Sequence, residues 1–250
     1  MMETPKVALI TGAARRIGAA IARRLHADGY ALALHYRSSQ ADMDGLLAEL
    51  NGARAGSAIA LQADLAAFDR LPELVAKTVG RFGRLDALVN NASAFYPTPL
   101  GTVTPAQWDD LFASNARAPL FLAQAAAPHL RAVHGGIVNL ADIHGERPLA
   151  GHSAYCMAKA ALLMLSKSLA LELAPDVRVN AIAPGAILWP ETAGGQPIEV
   201  STEQAALLSR TPLQRMGTPE DVAAAVAWLL QDAGYVTGQT LHLDGGRHLG

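Results

Sequence analysis

Short apolar runs alternate along the chain with longer segments in which apolar positions recur every three or four residues. The runs at 7–11, 30–36, 57–63, 87–90, 136–140, 178–182 and 240–243 predict strands. Several are apolar without strict alternation, the pattern of strands covered on both faces of a parallel sheet. Helices are predicted between them, near 16–28, 40–52, 68–82, 105–131, 153–174 and 219–231. Alternating βα units imply right-handed crossovers and a doubly wound sheet. The expected architecture is therefore α/β: one seven-stranded parallel sheet with helices on both faces, as a single domain over residues 1–250. The least regular stretch is 187–213, which holds Trp189-Pro190, Gly194-Gly195 and Pro197. It reads as a mobile flap before a helix starting at Thr218-Pro219-Glu220-Asp221, with an N-cap threonine, a first-turn proline and two early acids.

Composition narrows the function classes. Half of the 250 residues are apolar, enough for a sizeable core. Twenty basic residues face 22 acidic ones, so there is no basic field for nucleic acid and no polybasic membrane patch. Cys156 is the single cysteine, so no internal disulfide forms, which fits a reducing compartment. No segment reads as a signal peptide, and no apolar segment approaches the length of a bilayer span. The expectation is a soluble cytoplasmic protein.

The first strand is followed by Thr11-Gly12-Ala13-Ala14-Arg15-Arg16-Ile17-Gly18. Gly12 permits a sharp turn, Gly18 permits close helix–strand packing, and the helix start suits a diphosphate. An ordinary strand–helix turn with two glycines is the plainer reading. The second strand ends in Tyr36-Arg37-Ser38-Ser39, where an NAD-preferring site would usually place an acid. A guanidinium there suits the 2′-phosphate of NADP, unless Arg37 is simply a solvated surface residue. Three further strands run into Asn90-Asn91-Ala92-Ser93, Ala141-Asp142 and Ala183-Pro184-Gly185. These are carboxyl ends of parallel strands, where open α/β sheets bind ligands. Tyr155 and Lys159, four apart, share a helix face. A nearby ammonium lowers a phenol pKa into a useful range, although a half-exposed helix pair has the same spacing.

The glycine turn, Asn90-Asn91-Ala92, Asn115, Tyr155 with Lys159, and Pro184-Gly185 resemble the short-chain dehydrogenase/reductase superfamily in order and spacing. That resemblance implies a Rossmann fold, an NAD(P) cofactor and Tyr155 as the proton-transfer residue. It implies that Lys159 orients the ribose and keeps the tyrosine acidic. It also implies that Asn115 supports a water-linked proton path, although a helix-kinking role is open. A homotetramer with the helices at 105–131 and 153–174 paired between subunits is likewise implied, and the tail could carry Arg247 into a neighbour's site. The implied cofactor set is Gly12, Arg16, Ile17, Gly18, Tyr36, Arg37, Ser38, Ser39, Asp64, Leu65, Asn91, Ala92, Ser93, Tyr155, Lys159, Pro184 and Gly185.

Two departures refine the reading. Arg16 stands where the superfamily usually has a third glycine, and Asp142 where it usually has a serine thirteen residues before the tyrosine. With Ser93-Ala94-Phe95-Tyr96-Pro97 they resemble the pteridine reductase branch, including bacterial dihydromonapterin reductases, as does the C-terminal Leu243-Asp244-Gly245-Gly246-Arg247-His248-Leu249. A pterin is flat and nitrogen-rich, so it needs an aromatic lid and ring hydrogen bonds. Phe95 could stack on it or be a core residue, and Arg16 could bond phosphate alone or pterin as well. Ser93 could bridge cofactor and substrate, and Trp189 could read the side chain or anchor the flap. Asp142, if not a turn cap, could relay a proton to a ring nitrogen. Catalytic candidates are thus Asp142, Tyr155, Lys159 and Asn115, and substrate candidates Arg16, Ser93, Phe95, Asp142, Tyr155 and Trp189. The expected reaction is NADPH-dependent reduction of a dihydropterin, with dihydrobiopterin, dihydromonapterin and dihydrofolate sharing the ring. The competing readings are a carbonyl or 3-oxoacyl reductase with the same cofactor, and a non-catalytic NADP sensor. The histidines show no metal-ligand spacing.

Overall fold

Successive residues of the first strand face opposite layers. Ala8 and Ile10 join one apolar cluster, Val7 and Leu9 another, and all four are buried. This is the period of a pleated strand covered on both sides, which explains the unbroken apolar run. The computed structural model describes residues 4–187 and 207–249. Its strands are β1 (Val7–Ile10), β2 (Ala31–Tyr36), β3 (Ala58–Gln62), β4 (Ala87–Asn90), β5 (Gly136–Leu140), β6 (Arg178–Pro184) and β7 (Thr240–Leu243). They form one parallel sheet in the order β3-β2-β1-β4-β5-β6-β7, as expected. Strand order reverses between β1 and β4, which opens a crevice at their carboxyl ends.

Helices α1 (Arg16–Ala27), α2 (Gln40–Ala53) and α7 (Pro219–Gln231) cover one face through Ile21, Leu25, Met43, Leu46, Val222 and Val226. On the other face, α3 (Leu71–Phe82), α5 (Ala118–Arg131) and α6 (Ser153–Leu173) contribute Leu74, Leu122, Leu130, Leu169 and Leu173. Thr218 caps α7 as expected, its hydroxyl accepting from the Asp221 N–H while the Asp221 carboxylate accepts from the Thr218 N–H.

The segment 105–131 is not one helix. It divides into α4 (Pro105–Phe112), a π turn over Ala113–Arg117, and α5. The Ala118 N–H reaches back five residues to the Ala113 carbonyl, and the Asn115 side chain donates to the Leu111 carbonyl at 2.9 Å. Such wide turns are common at functional sites.

The expectation about membrane-length segments also needs correction. Helix α6 has 21 residues and is apolar enough to cross a bilayer by length and composition, the only such helix among the described residues. Half of that stretch is buried in the fold. A helix sandwiched in the interior is apolar on most sides, so it passes the same test. Trp189, with most of the expected flap, lies outside the described residues; of its flanks, Ile187 bridges Gly217.

Candidate active site

The loops after β4, β5 and β6 converge on the start of α1 and line a cleft of about 520 Å³. Its floor is set by the first turn. The Thr11 hydroxyl accepts from the N–H groups of Asn91 and Ala92 at 2.9 and 3.0 Å. The Asn91 amide donates to the carbonyls of Thr11 and Gly12, both at 2.9 Å. Asn91 thus holds the turn in shape, and its side-chain amide is occupied there.

Gly12 has φ +62°, and a Cβ at Gly18 would lie 2.2 Å from the Gly12 carbonyl oxygen and 2.7 Å from the Asn91 amide. Gly18→Ala is therefore expected to lower stability by about 2–4 kcal/mol, read as a shifted urea midpoint. An unchanged midpoint would show that this close approach is not required.

The residues fit a nicotinamide dinucleotide. The N-cap of α1, Arg15, makes no side-chain cap, and the first turn holds no acid. The opening N–H groups of the helix thus face the cleft available to an anion. Arg16 sits at φ +51°, where a glycine would be at ease, and its exposed side chain lines the cleft. Ile17, Asp64, Leu65, Ala92, Ser93, Pro184 and Gly185 also line it. The Asp64 carboxylate accepts from the Ala66 N–H at 2.9 Å.

At the far end Arg37 is exposed on the rim. Its neighbours divide differently from expectation. Tyr36 is buried and its hydroxyl donates to Gln40, so its ring supports the strand end rather than the wall. Neither Ser38 nor Ser39 lines the cleft. The Ser39 hydroxyl accepts from Arg15 at 2.7 Å, and Arg15 also pairs with Asp42 at 2.7 Å. Arg15 does line the cleft, although no motif in the sequence marked it. Nor did any motif mark His35, 2 % exposed, whose Nδ1 accepts from the Gly12 N–H at 3.2 Å and whose Nε2 meets the Ala63 carbonyl at 3.1 Å. These two contacts require a neutral ring protonated at Nε2. Burial, its largest influence, also lowers the ring's pKa.

The reactive end is built from β5, α6 and the π turn. Tyr155 is 4 % exposed and donates to the Asp142 carboxylate at 2.6 Å. Asp142 is fixed in turn by the His144 N–H at 2.8 Å, so it also acts as the turn cap that was one reading of it. Burial first, then the charge of Asp142 and its hydrogen bond, hold the phenol well above its ordinary range, and Ser93 opposes them.

Lys159 is buried, with its ammonium 2.8 Å from the Leu140 carbonyl and 5.8 Å from the Tyr155 ring centre. Burial lowers its pKa to about 8, against the pull of Asp142. Lys159 makes no hydrogen bond to the phenol, although its ammonium stands close enough to the ring to act on it through charge. The phenol turns to a carboxylate, while the ammonium turns to a backbone carbonyl.

Asn115 is fully buried. It donates to the Ala94 and Leu111 carbonyls at 2.9 Å and accepts from Ser93 at 2.7 Å. Its side chain holds the β4 loop and makes no bond to Lys159. Phe95 stands 56 % exposed at the mouth. Arg247 is in the C-terminal turn, its carbonyl accepting from Arg147 at 2.8 Å, and does not line this cleft. Among the described residues no His, Cys, Asp and Glu cluster could hold a metal.

Fold and cleft together define an oxidoreductase that works with a nicotinamide dinucleotide. The chain belongs to the short-chain dehydrogenase/reductase family: residues 12–248 match the family model described as enoyl-(acyl carrier protein) reductase. It is similar to pteridine reductase 1 of Leishmania tarentolae, at 39 % identity over 98 % of this chain and 97 % of that one. It is also 39 % identical to an uncharacterized oxidoreductase of Methylorubrum extorquens, over 96 % of this chain and 97 % of that one. Against 3-oxoacyl-[acyl-carrier-protein] reductase of Staphylococcus aureus the identity is 36 %, over 99 % of this chain and all of that one.

Proposed function

We propose that the chain reduces a C=N bond of a dihydropterin to the tetrahydro level with NADPH. The pteridine and oxoacyl reductases are nearly equally similar to the chain, so the choice rests on the site. The observation that carries it is the Asp142 carboxylate 2.6 Å from the Tyr155 hydroxyl. Reduction of a ketone calls for a neutral hydroxyl beside the tyrosine to hold the carbonyl. Reduction of a C=N bond calls for a proton at nitrogen, which a carboxyl group in a partly dry site can relay.

NADPH supplies the hydride for the C=N carbon. Asp142 and Tyr155 form the proton path to the ring nitrogen and are recharged from solvent. Lys159 and Tyr155 hold the nicotinamide ribose, and Asn115 keeps Ser93 at the junction of cofactor and substrate. Arg16 bonds phosphate and pterin, and Phe95 offers its ring for stacking. Exposed Leu120, Met157, Met164 and Leu171 on α5 and α6 give a homotetramer apolar faces to cover. The single cysteine fits a cytoplasmic setting.

A 3-oxoacyl or carbonyl reductase is the second reading, favoured by the family match and the Staphylococcus relative. NADPH oxidation measured against dihydrobiopterin, dihydromonapterin, dihydrofolate, simple ketones and an acetoacetyl thioester separates the two. Turnover of the ketones or thioester without turnover of any pterin sinks the pterin reading.

Cofactor choice rests on Arg37, exposed at the rim where the end of β2 carries no acid for ribose hydroxyls; Arg15 at the same rim is already paired with Asp42. Arg37→Glu is expected to lower the NADPH-to-NADH ratio of kcat/KM by about 10- to 100-fold. A ratio that stays put would remove the guanidinium from 2′-phosphate recognition.

A further inference from the structure

The exposed ring of Phe95 is not loose. His152 lies against one of its faces, with ring centres 4.8 Å apart and planes 11° from parallel. Tyr155 meets it edge-on, at 4.8 Å and 79°. His152 is itself anchored. It pairs with Thr98 in an isolated parallel bridge, and the Thr98 N–H donates to the Gly151 carbonyl at 2.6 Å. The His152 Nδ1 contacts the Ala150 carbonyl at 2.9 Å, so this nitrogen carries a hydrogen. The loop carrying Phe95 is thereby fastened to the residue just before α6, one turn ahead of Tyr155. His152 does not line the cleft, whereas Phe95 does.

We propose that His152 is a positioning residue for substrate, holding the Phe95 ring in the plane on which a flat heterocycle stacks. With His152 stacked on it, Phe95 still keeps more than half of its surface exposed and lines the cleft, so the ring presents surface to a ligand. Fixing an otherwise exposed ring before the ligand arrives removes an ordering cost from binding. Offset-stacked aromatic pairs add to this through their quadrupoles. The imidazole acts only through the phenyl ring, so its influence falls on substrate affinity and not on the cofactor or the proton path. This inference rests on the pterin reading and names the residue that sets the geometry of its aromatic wall.

The test is a double-mutant cycle on binding of biopterin, measured calorimetrically with saturating NADP⁺ so that no hydride is available. Wild type, His152→Ala, His152→Phe, Phe95→Ala and the double alanine variant are compared, with thermal midpoints recorded for each. His152→Ala should weaken biopterin about three- to tenfold, and His152→Phe should restore it to within about twofold. On the Phe95→Ala background the same change should have almost no effect, because the two residues act as one unit. NADP⁺ affinity should hold throughout. Equal weakening by His152→Ala in both backgrounds, or none in wild type, overturns the positioning role. A variant that unfolds early is replaced in the cycle by His152→Leu, which keeps bulk but not the flat face. Failure of wild type to bind biopterin removes the pterin reading itself, and this inference with it.

Discussion

Asp142→Asn is expected to lower kcat for a dihydropterin by about 10²- to 10³-fold, the range removed with a general acid–base group. The substitution keeps the side chain's size. Its carbonyl oxygen can still accept from either the His144 N–H or the Tyr155 hydroxyl, the two donors that the carboxylate now receives at 2.8 and 2.6 Å. What is lost is the charge and the capacity to carry a proton. Binding of NADPH and of an unreactive pterin should therefore change little. The phenol should respond in the opposite sense: without the carboxylate, two of the influences that hold the Tyr155 pKa high are gone and burial remains. Any carbonyl reduction routed through Tyr155 should survive or improve. Parallel steady-state measurements on a dihydropterin and a ketone decide the matter. Intact dihydropterin turnover in Asp142→Asn would show that the carboxylate is a turn cap and nothing more.

Lys159→Met should do two opposite things at pH 7: stabilise the cofactor-free fold and abolish most of the activity. Lys159 is fully buried, and burial brings its pKa from 10.5 down to about 8. Between those values the unfolded chain binds more protons than the folded one. Wild-type stability from this group therefore rises with pH across that window and is flat below it. At neutral pH the buried charge costs the fold up to about 3 kcal/mol, since each tenfold loss of proton affinity on folding is worth about 1.4 kcal/mol. Methionine removes that cost but leaves the Leu140 carbonyl, now bonded at 2.8 Å, without its donor, which costs about 1 kcal/mol. The net expectation is a gain of about 2 kcal/mol at pH 7 that shrinks towards pH 10. Urea unfolding of both proteins at the two pH values measures it. Cofactor affinity should fall, because the ammonium is the ribose donor in the proposed mechanism. A less stable Lys159→Met at pH 7 would show that the charge is better compensated than its surroundings indicate.

A buried ammonium that lines the cleft on the same helix as Tyr155 supports a functional role for α6. The same helix presents Tyr155 to Asp142 and begins one residue after His152, so a single rigid element sets the phenol, the ammonium and the imidazole that backs Phe95. A site built on a helix is held more tightly than one built on loops.

By itself the amino-acid sequence determined the strands, most of the helices and the chemistry available, though not that 68–70 forms a 3-10 turn ahead of α3. Burial on both faces of the sheet writes unbroken apolar runs such as 7–11, and local hydrogen bonding writes the Thr218–Asp221 start of α7, so both are legible over a few residues. The spacing of Tyr155 and Lys159 likewise placed both on one helix face. Only the tertiary structure decided how these groups are used. It turned the phenol to Asp142 instead of to the ammonium, and closed His35 over Gly12 across 23 positions and Arg15 onto Asp42 across 27. It also broke 105–131 at Asn115, whose side chain reaches Ser93 across 22 positions. Periodicity records how much of a residue is buried. The direction of a polar side chain depends on which distant loops arrive beside it, and that is set only when strands far apart in the chain become neighbours in the sheet.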